Sequence, residues 1–276
     1  MTSDSRYQAH TIAEVVDRDL RARGSSERAQ KEKAYLKSEL LHYGVSVPDT
    51  RAVVRTALRT AKLNHDEVIE LARTLWAPPT SSDDSAGSAE STDTGRAEPM
   101  VTGAGPAGHP TPVHERRAAA TMVLIQSKDR LSGGDADFIE GLLREAKTWA
   151  LIDPLAGDLV GPLSERDAAF DPVLERWASD EDFWIRRSAL LAHLVPLRHG
   201  RGDFDRFTRF ADAMLEEKEF FIRKAIGWVL RDTSRKRPDL VFDWILPRAH
   251  RASGVTIGEA VKRLSTEQRE AVLTAR

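Results

Sequence analysis

The chain has 276 residues, 41% of them hydrophobic and 30% charged, enough apolar material for a core beneath a heavily charged surface. It has no cysteine, which excludes a disulfide scaffold, thiol catalysis and Cys-ligated zinc or iron–sulfur sites. The net charge of −2 hides an asymmetry: residues 77–113 carry −4, whereas 183–276 hold 19 Lys/Arg against 12 Asp/Glu, either a footprint for a polyanion or a well-solvated helical surface.

From the N-terminus onward the pattern is helical. The first ten residues are polar and show no apolar segment of a secretory signal. The longest apolar stretch, 118–125, is far too short to span a bilayer, so no membrane association and a cytoplasmic location are expected. Ile12, Val15, Val16 and Leu20 form one apolar stripe of a helix. Residues 34–43 predict a helix stopped by Gly44, Pro48 opens another at 49–62, and Asn64 or His65 starts one that reaches Trp76. Residues 77–113 are Pro, Gly, Ser, Ala and acid, with little to bury, and predict a disordered acidic loop. Helices are then expected at 113–126, 135–148, 149–163, 172–179, 183–197, 203–217, 219–234, 238–250 and 258–264. No run alternates like a strand, so the fold class is all-α.

A faint repeat runs through these helices. Arg116-Arg117, Arg186-Arg187 and Arg223-Lys224 each precede small and apolar residues. The spacing, near 35–40 residues, predicts a curved superhelical stack of HEAT-like helix pairs. The expectation is a single domain over 1–276, with 77–113 inserted between repeats, and no sign of an oligomer.

Phosphate-binding loops, nucleophile elbows and zinc-protease helices are absent. The eight His show no metal-ligand spacing, so no metal and no cofactor are expected. Two stretches stand out. Trp149 and Asp153 are i, i+4 and share one helix face, an aromatic plate beside a carboxylate that suits a cation. The alternative is a core Trp with Asp153 capping the helix that Pro154 opens. Trp228 follows Gly227 on an apolar helix flanked by Arg223, Lys224 and Arg231. There the glycine, costing about 1 kcal/mol in a helix, admits either a ligand or a neighbouring backbone.

These residues resemble the AlkD-type DNA alkylation repair enzymes, HEAT-like-repeat DNA glycosylases. The longest match is KEFFIRKAIGWVL at 218–230, followed by Arg231 and Pro238. Others are Trp177-Ala-Ser-Asp with Phe183-Trp184-Ile-Arg-Arg, the Trp149–Asp153 spacing, and Tyr35-Leu36-Lys37 with Gly44-Val45 and Pro48. The likeness covers about 10–265. Ala150 and Gly258 stand where the family often has a polar residue and an arginine.

The resemblance implies a DNA glycosylase that removes N3- and N7-alkylated, cationic purines from duplex DNA without flipping the base out. Asp153 would stabilise the sugar cation and position water, with Trp149, Trp228 and Arg187 completing the catalytic wall. Tyr35, Lys37, Arg186, Arg223, Lys224 and Arg231 would contact DNA. A DNA-structure-binding relative without catalysis and a protein–protein scaffold are the alternatives.

Overall fold

The computed structural model describes residues 3–59, 61–79 and 110–276. Residues 80–109, most of the segment read as a disordered loop, lie outside them. Among the described residues the secondary structure is helical, and the one β pairing is a parallel bridge between Leu41 and Val113. The chain divides into two compact units, up to Ser127 and from Lys128 onward.

The N-terminal unit comprises α1 (Ser3–Arg21), α2 (Ser26–Leu36), α3 (Val47–Leu58), α4 (His65–Trp76) and α5 (His114–Gln126). The start signals act as chemistry requires. Ser25 and Ser46 accept from the backbone amides of Arg28 and Asp49, and Asn64 forms a capping box with Glu67. The α1 stripe buries Val16 and Leu20 with Leu71, Leu75 and Leu124, as α1 packs on α4 and α4 on α5.

The predicted helix at 34–43 is a correction. The helix over this region is α2, which ends at Leu36 because Lys37 turns left-handed (φ 49°), and residues 38–46 form a loop. A buried carboxylate organises that loop. Glu115 accepts the amides of Tyr43 (2.9 Å), Gly44 (2.6 Å) and Val45 (3.1 Å). Gly44 has φ +76°, and a Cβ there would meet the Ser25 carbonyl at 2.1 Å, so only glycine fits.

The C-terminal unit carries the longest of the segments that resemble the family. Its helices are α6 (Ala136–Ala146), α7 (Trp149–Asp153), α8 (Gly161–Arg166), α9 (Phe170–Ala178), α10 (Phe183–Leu191), α11 (Leu194–Arg198), α12 (Phe204–Ala213), α13 (Phe220–Thr233), α14 (Pro238–Ile245), α15 (Gly254–Ala260) and α16 (Thr266–Thr274). The helix expected over 149–163 is three pieces: α7, a π-helix at Pro154–Val160, and α8. Pro154 has no N–H to donate, which frees the preceding turn and lets the backbone widen. The helix expected at 183–197 breaks after Leu191, and a shorter α11 resumes at Leu194.

Charged pairs within this unit recur at nearly constant sequence separation. Arg187 bonds Asp153 (34 apart), Arg144 bonds Asp180 (36), Arg201 bonds Glu165 (36), Arg248 bonds Asp212 (36) and Arg198 bonds Asp232 (34).

Candidate active site

The site is assembled on three helices of the C-terminal unit. On five-residue α7, Leu151 and Ile152 are fully buried and anchor the turn. Trp149 and Asp153, one turn apart on the other side, stay half-buried. Asp153 does not cap the segment that follows it. Its carboxylate instead receives both prongs of Arg187 on α10, Nε to Oδ1 at 2.8 Å and Nη2 to Oδ2 at 2.8 Å. A planar guanidinium matched to a carboxylate in this way fixes orientation as well as charge.

Arg187 is itself held. Its side chain is 3% exposed, its Nη1 donates to the Phe221 carbonyl on α13, and its guanidinium lies 5.7 Å from the Phe221 ring centroid. Phe221 belongs to an aromatic cluster with Phe183 and Trp184, and α10 packs on α13. Two turns along α13 from Phe221 stands Trp228, half-buried. The structure thus joins Asp153 directly to Arg187, places Trp149 one turn before Asp153, and ties Arg187 to the helix that bears Trp228.

Burial pushes the Asp153 carboxyl above its ordinary 3.8; the bonds and charge of Arg187 oppose this, and the nearby Asp158 adds to it. In its ionised form, a carboxylate with little water around it attracts positive charge more strongly than one in bulk solvent. The π-helix after Pro154 is anchored by Leu155, Ala156, Leu159 and Val160, all fully buried, so the widened turn is firmly seated behind Asp153.

Gly227 answers the other open question. A Cβ there would meet Glu259 Cβ at 2.6 Å and the Thr256 carbonyl at 2.8 Å. The glycine admits the close approach of α15 to α13.

The cations expected on DNA have internal partners. Arg186 bonds both oxygens of Glu217, at 3.1 and 2.8 Å, and the carbonyls of Asp180 and Glu181. Arg223 donates to the Glu217 carbonyl at 2.6 Å. Lys224 and Arg231 both bond Glu259, a 4% exposed residue that Lys262 also reaches at 2.8 Å. Tyr35 and Lys37 lie exposed in the N-terminal unit.

Sequence reasoning missed Glu259. It stood next to Gly258, noted only for a missing arginine, yet its role is to gather three cations. Burial raises its pKa, but Lys224, Lys262 and Arg231 outweigh that and bring it to about 2. Around Gly258 a Cβ would meet nothing within 4 Å, so a longer side chain at this position would find space.

The family model described as "DNA alkylation repair enzyme" matches residues 16–89 and 110–264. A solved structure, a predicted DNA alkylation repair enzyme from Enterococcus faecalis, is 20% identical and covers 88% of this chain and 98% of its own, with a TM-score of 0.64. That likeness shows a shared fold. None of the curated proteins matches the chain. On the family match, which spans most of its length, the chain belongs to the DNA alkylation repair enzymes.

Proposed function

We propose that this protein is a monofunctional DNA glycosylase that excises N3- and N7-alkylated purines from duplex DNA while the base stays stacked. The observation that carries the reading is the Asp153–Arg187 pair: a half-buried, doubly held carboxylate one helical turn from a half-buried Trp149, in a chain of the DNA alkylation repair family.

An alkylated purine bears a positive charge and a weakened glycosidic bond. Cleavage sends the bond electrons to the base, which becomes neutral, and leaves positive charge on the sugar. Asp153, preoriented and poorly hydrated, stabilises that charge as it develops. The indoles of Trp149 and Trp228 offer it ring faces, worth about 0.5–2 kcal/mol each by cation–π attraction. Water then adds at the sugar carbon and gives up a proton, with Asp153 as the nearest acceptor. Arg187 keeps the carboxylate ionised and aimed. No deep base pocket is needed, because the groups that act address the sugar.

Backbone contacts come from Tyr35, Lys37, Arg186, Arg223, Lys224 and Arg231. Lys224 keeps 41% of its side chain exposed while paired with Glu259, which leaves donors for a phosphate. The test is release of 7-methylguanine from a duplex carrying one lesion, wild type beside Asp153→Asn. Release by the wild type that collapses in the variant supports the reading. A wild type that binds modified duplex without releasing base identifies a non-catalytic DNA-binding relative.

A further inference from the structure

Away from the glycosylase residues, the N-terminal unit brings together a donor set that no local spacing reveals. Glu32 lies on α2, His42 in the loop before α3, and Glu115 in the first turn of α5. One ligand atom from each can be chosen so that all lie within 4.8 Å of one another. We propose that Glu32, His42 and Glu115 form a binding site for a divalent transition-metal ion of the zinc type.

Three observations carry this. First, both ring nitrogens of His42 are buried and have no hydrogen-bond partner among the described residues. A buried polar atom without a partner costs roughly 1–3 kcal/mol, and one metal bond removes that cost at one nitrogen. Second, the charge is favourable. The two carboxylates carry −2, against which Arg28 on Glu32 sets +1, so the donor set is net anionic and attracts a cation.

Third, the donors are preoriented with capacity to spare. Glu115 is fixed by three backbone amides, two on Oε1 and one on Oε2, and a carboxylate has about four acceptor positions. Glu32 is oriented by Arg28, which donates to Oε1 at 2.7 Å. His42 is stacked on His114 at 4.7 Å with an interplanar angle of 11°. Leu41, beside it, exchanges backbone bonds with Pro112 (3.0 Å) and His114 (2.8 Å). One imidazole and two carboxylates suit zinc better than magnesium, and three protein ligands leave a fourth position for water.

A metal here would tie α2, the 38–46 loop and the start of α5 together. The sequence expectation of no metal arises because the ligands stand at positions 32, 42 and 115, where local spacing carries no signal.

The full chain, freed of metal with a chelator, is titrated with zinc by calorimetry and with cobalt(II) by visible absorption. The expected result is one equivalent per chain, a tetrahedral cobalt spectrum and a rise in Tm. His42→Gln and Glu32→Gln each weaken binding at least about tenfold, since even outer partners of a metal cost that much, while far-UV circular dichroism stays unchanged. If His42→Gln fails to fold, Glu32→Gln on the face of α2 decides. No stoichiometric uptake by the wild type, or undiminished uptake by the folded variants, overturns the proposal.

Discussion

Arg187 shows why the pair with Asp153 is more than a local contact. A lysine would keep the charge but lose the two-pronged match and the bond to the Phe221 carbonyl. Arg187→Lys is therefore expected to lower the rate of base release about tenfold or more while the protein still folds, checked by single-turnover kinetics beside circular dichroism; an unchanged rate would detach Arg187 from the chemistry. Asp153 also sets a pH dependence. Burial raises its pKa above 3.8, and only the ionised form stabilises a cation. Catalysed release, after subtraction of spontaneous depurination, should fall as the pH drops through that raised pKa, with an acid limb above that of an ordinary aspartate. At this scale the sequence was informative where residues are neighbours. The i, i+4 spacing of Trp149 and Asp153 put them on one face. It was silent where partners are far apart in the chain, as with Arg187 and Asp153, 34 residues apart, or Lys224 and Glu259, 35 apart.

The elements were legible where capping and apolar periodicity agreed, as at Asn64 with Glu67, and less so where one residue redirects the backbone. Lys37 ends α2 by turning left-handed, which no side-chain pattern announces. Pro154, readable as a helix start, instead opens a π-helix. The helix α16 went unpredicted although Ser265 and Gln268 form a capping box at its start, because its apolar stripe is thin and only Val272 is buried. Two helix-interior glycines give opposite predictions at this scale. At Gly227 a Cβ would strike Glu259 Cβ at 2.6 Å, atoms with little freedom to yield, so Gly227→Ala should destabilise by about 1–3 kcal/mol. That exceeds the roughly 1 kcal/mol that alanine returns in a helix. At Gly141 in α6 a Cβ meets nothing within 4 Å, so Gly141→Ala should stabilise by about 0.5–1 kcal/mol. Urea unfolding of both variants checks the pair, and equal signs would contradict it.

Over the whole molecule, buried acids couple stability to pH. Glu140 accepts from Trp177 (2.8 Å), Arg144 (2.6 Å) and Arg176 (3.0 Å). Burial raises its pKa, yet these bonds outweigh it and bring the group from 4.5 to about 2. Glu259 behaves alike, again reaching about 2. Depressed carboxyls bind fewer protons folded than unfolded, so their contribution is complete above about pH 4.5 and is lost as the pH falls toward 2. Glu140→Gln should therefore lower stability by about 1–3 kcal/mol at pH 7, and the difference should close near pH 2. Unfolding curves across that range test it, and a gap constant with pH would refute the assignment. The all-α class was readable from the 3.6-residue periodicity and the absence of alternation. The recurrence near 35–40 residues was faint in sequence; separately, several ion pairs of the C-terminal unit join residues 34 to 36 apart. No described helix is long and apolar enough to cross a membrane.

In the proposed function everything turns on Asp153 stabilising a sugar cation during release of an alkylated base. The most direct measurement is single-turnover release of 7-methylguanine from a defined duplex by wild type and Asp153→Asn, with duplex affinity measured in parallel. The expected result is release by the wild type, a loss of about 10²–10³ in rate for the variant, the cost typical of removing one electrostatic group from a transition state, and little change in affinity. Equal rates for the two proteins would contradict it.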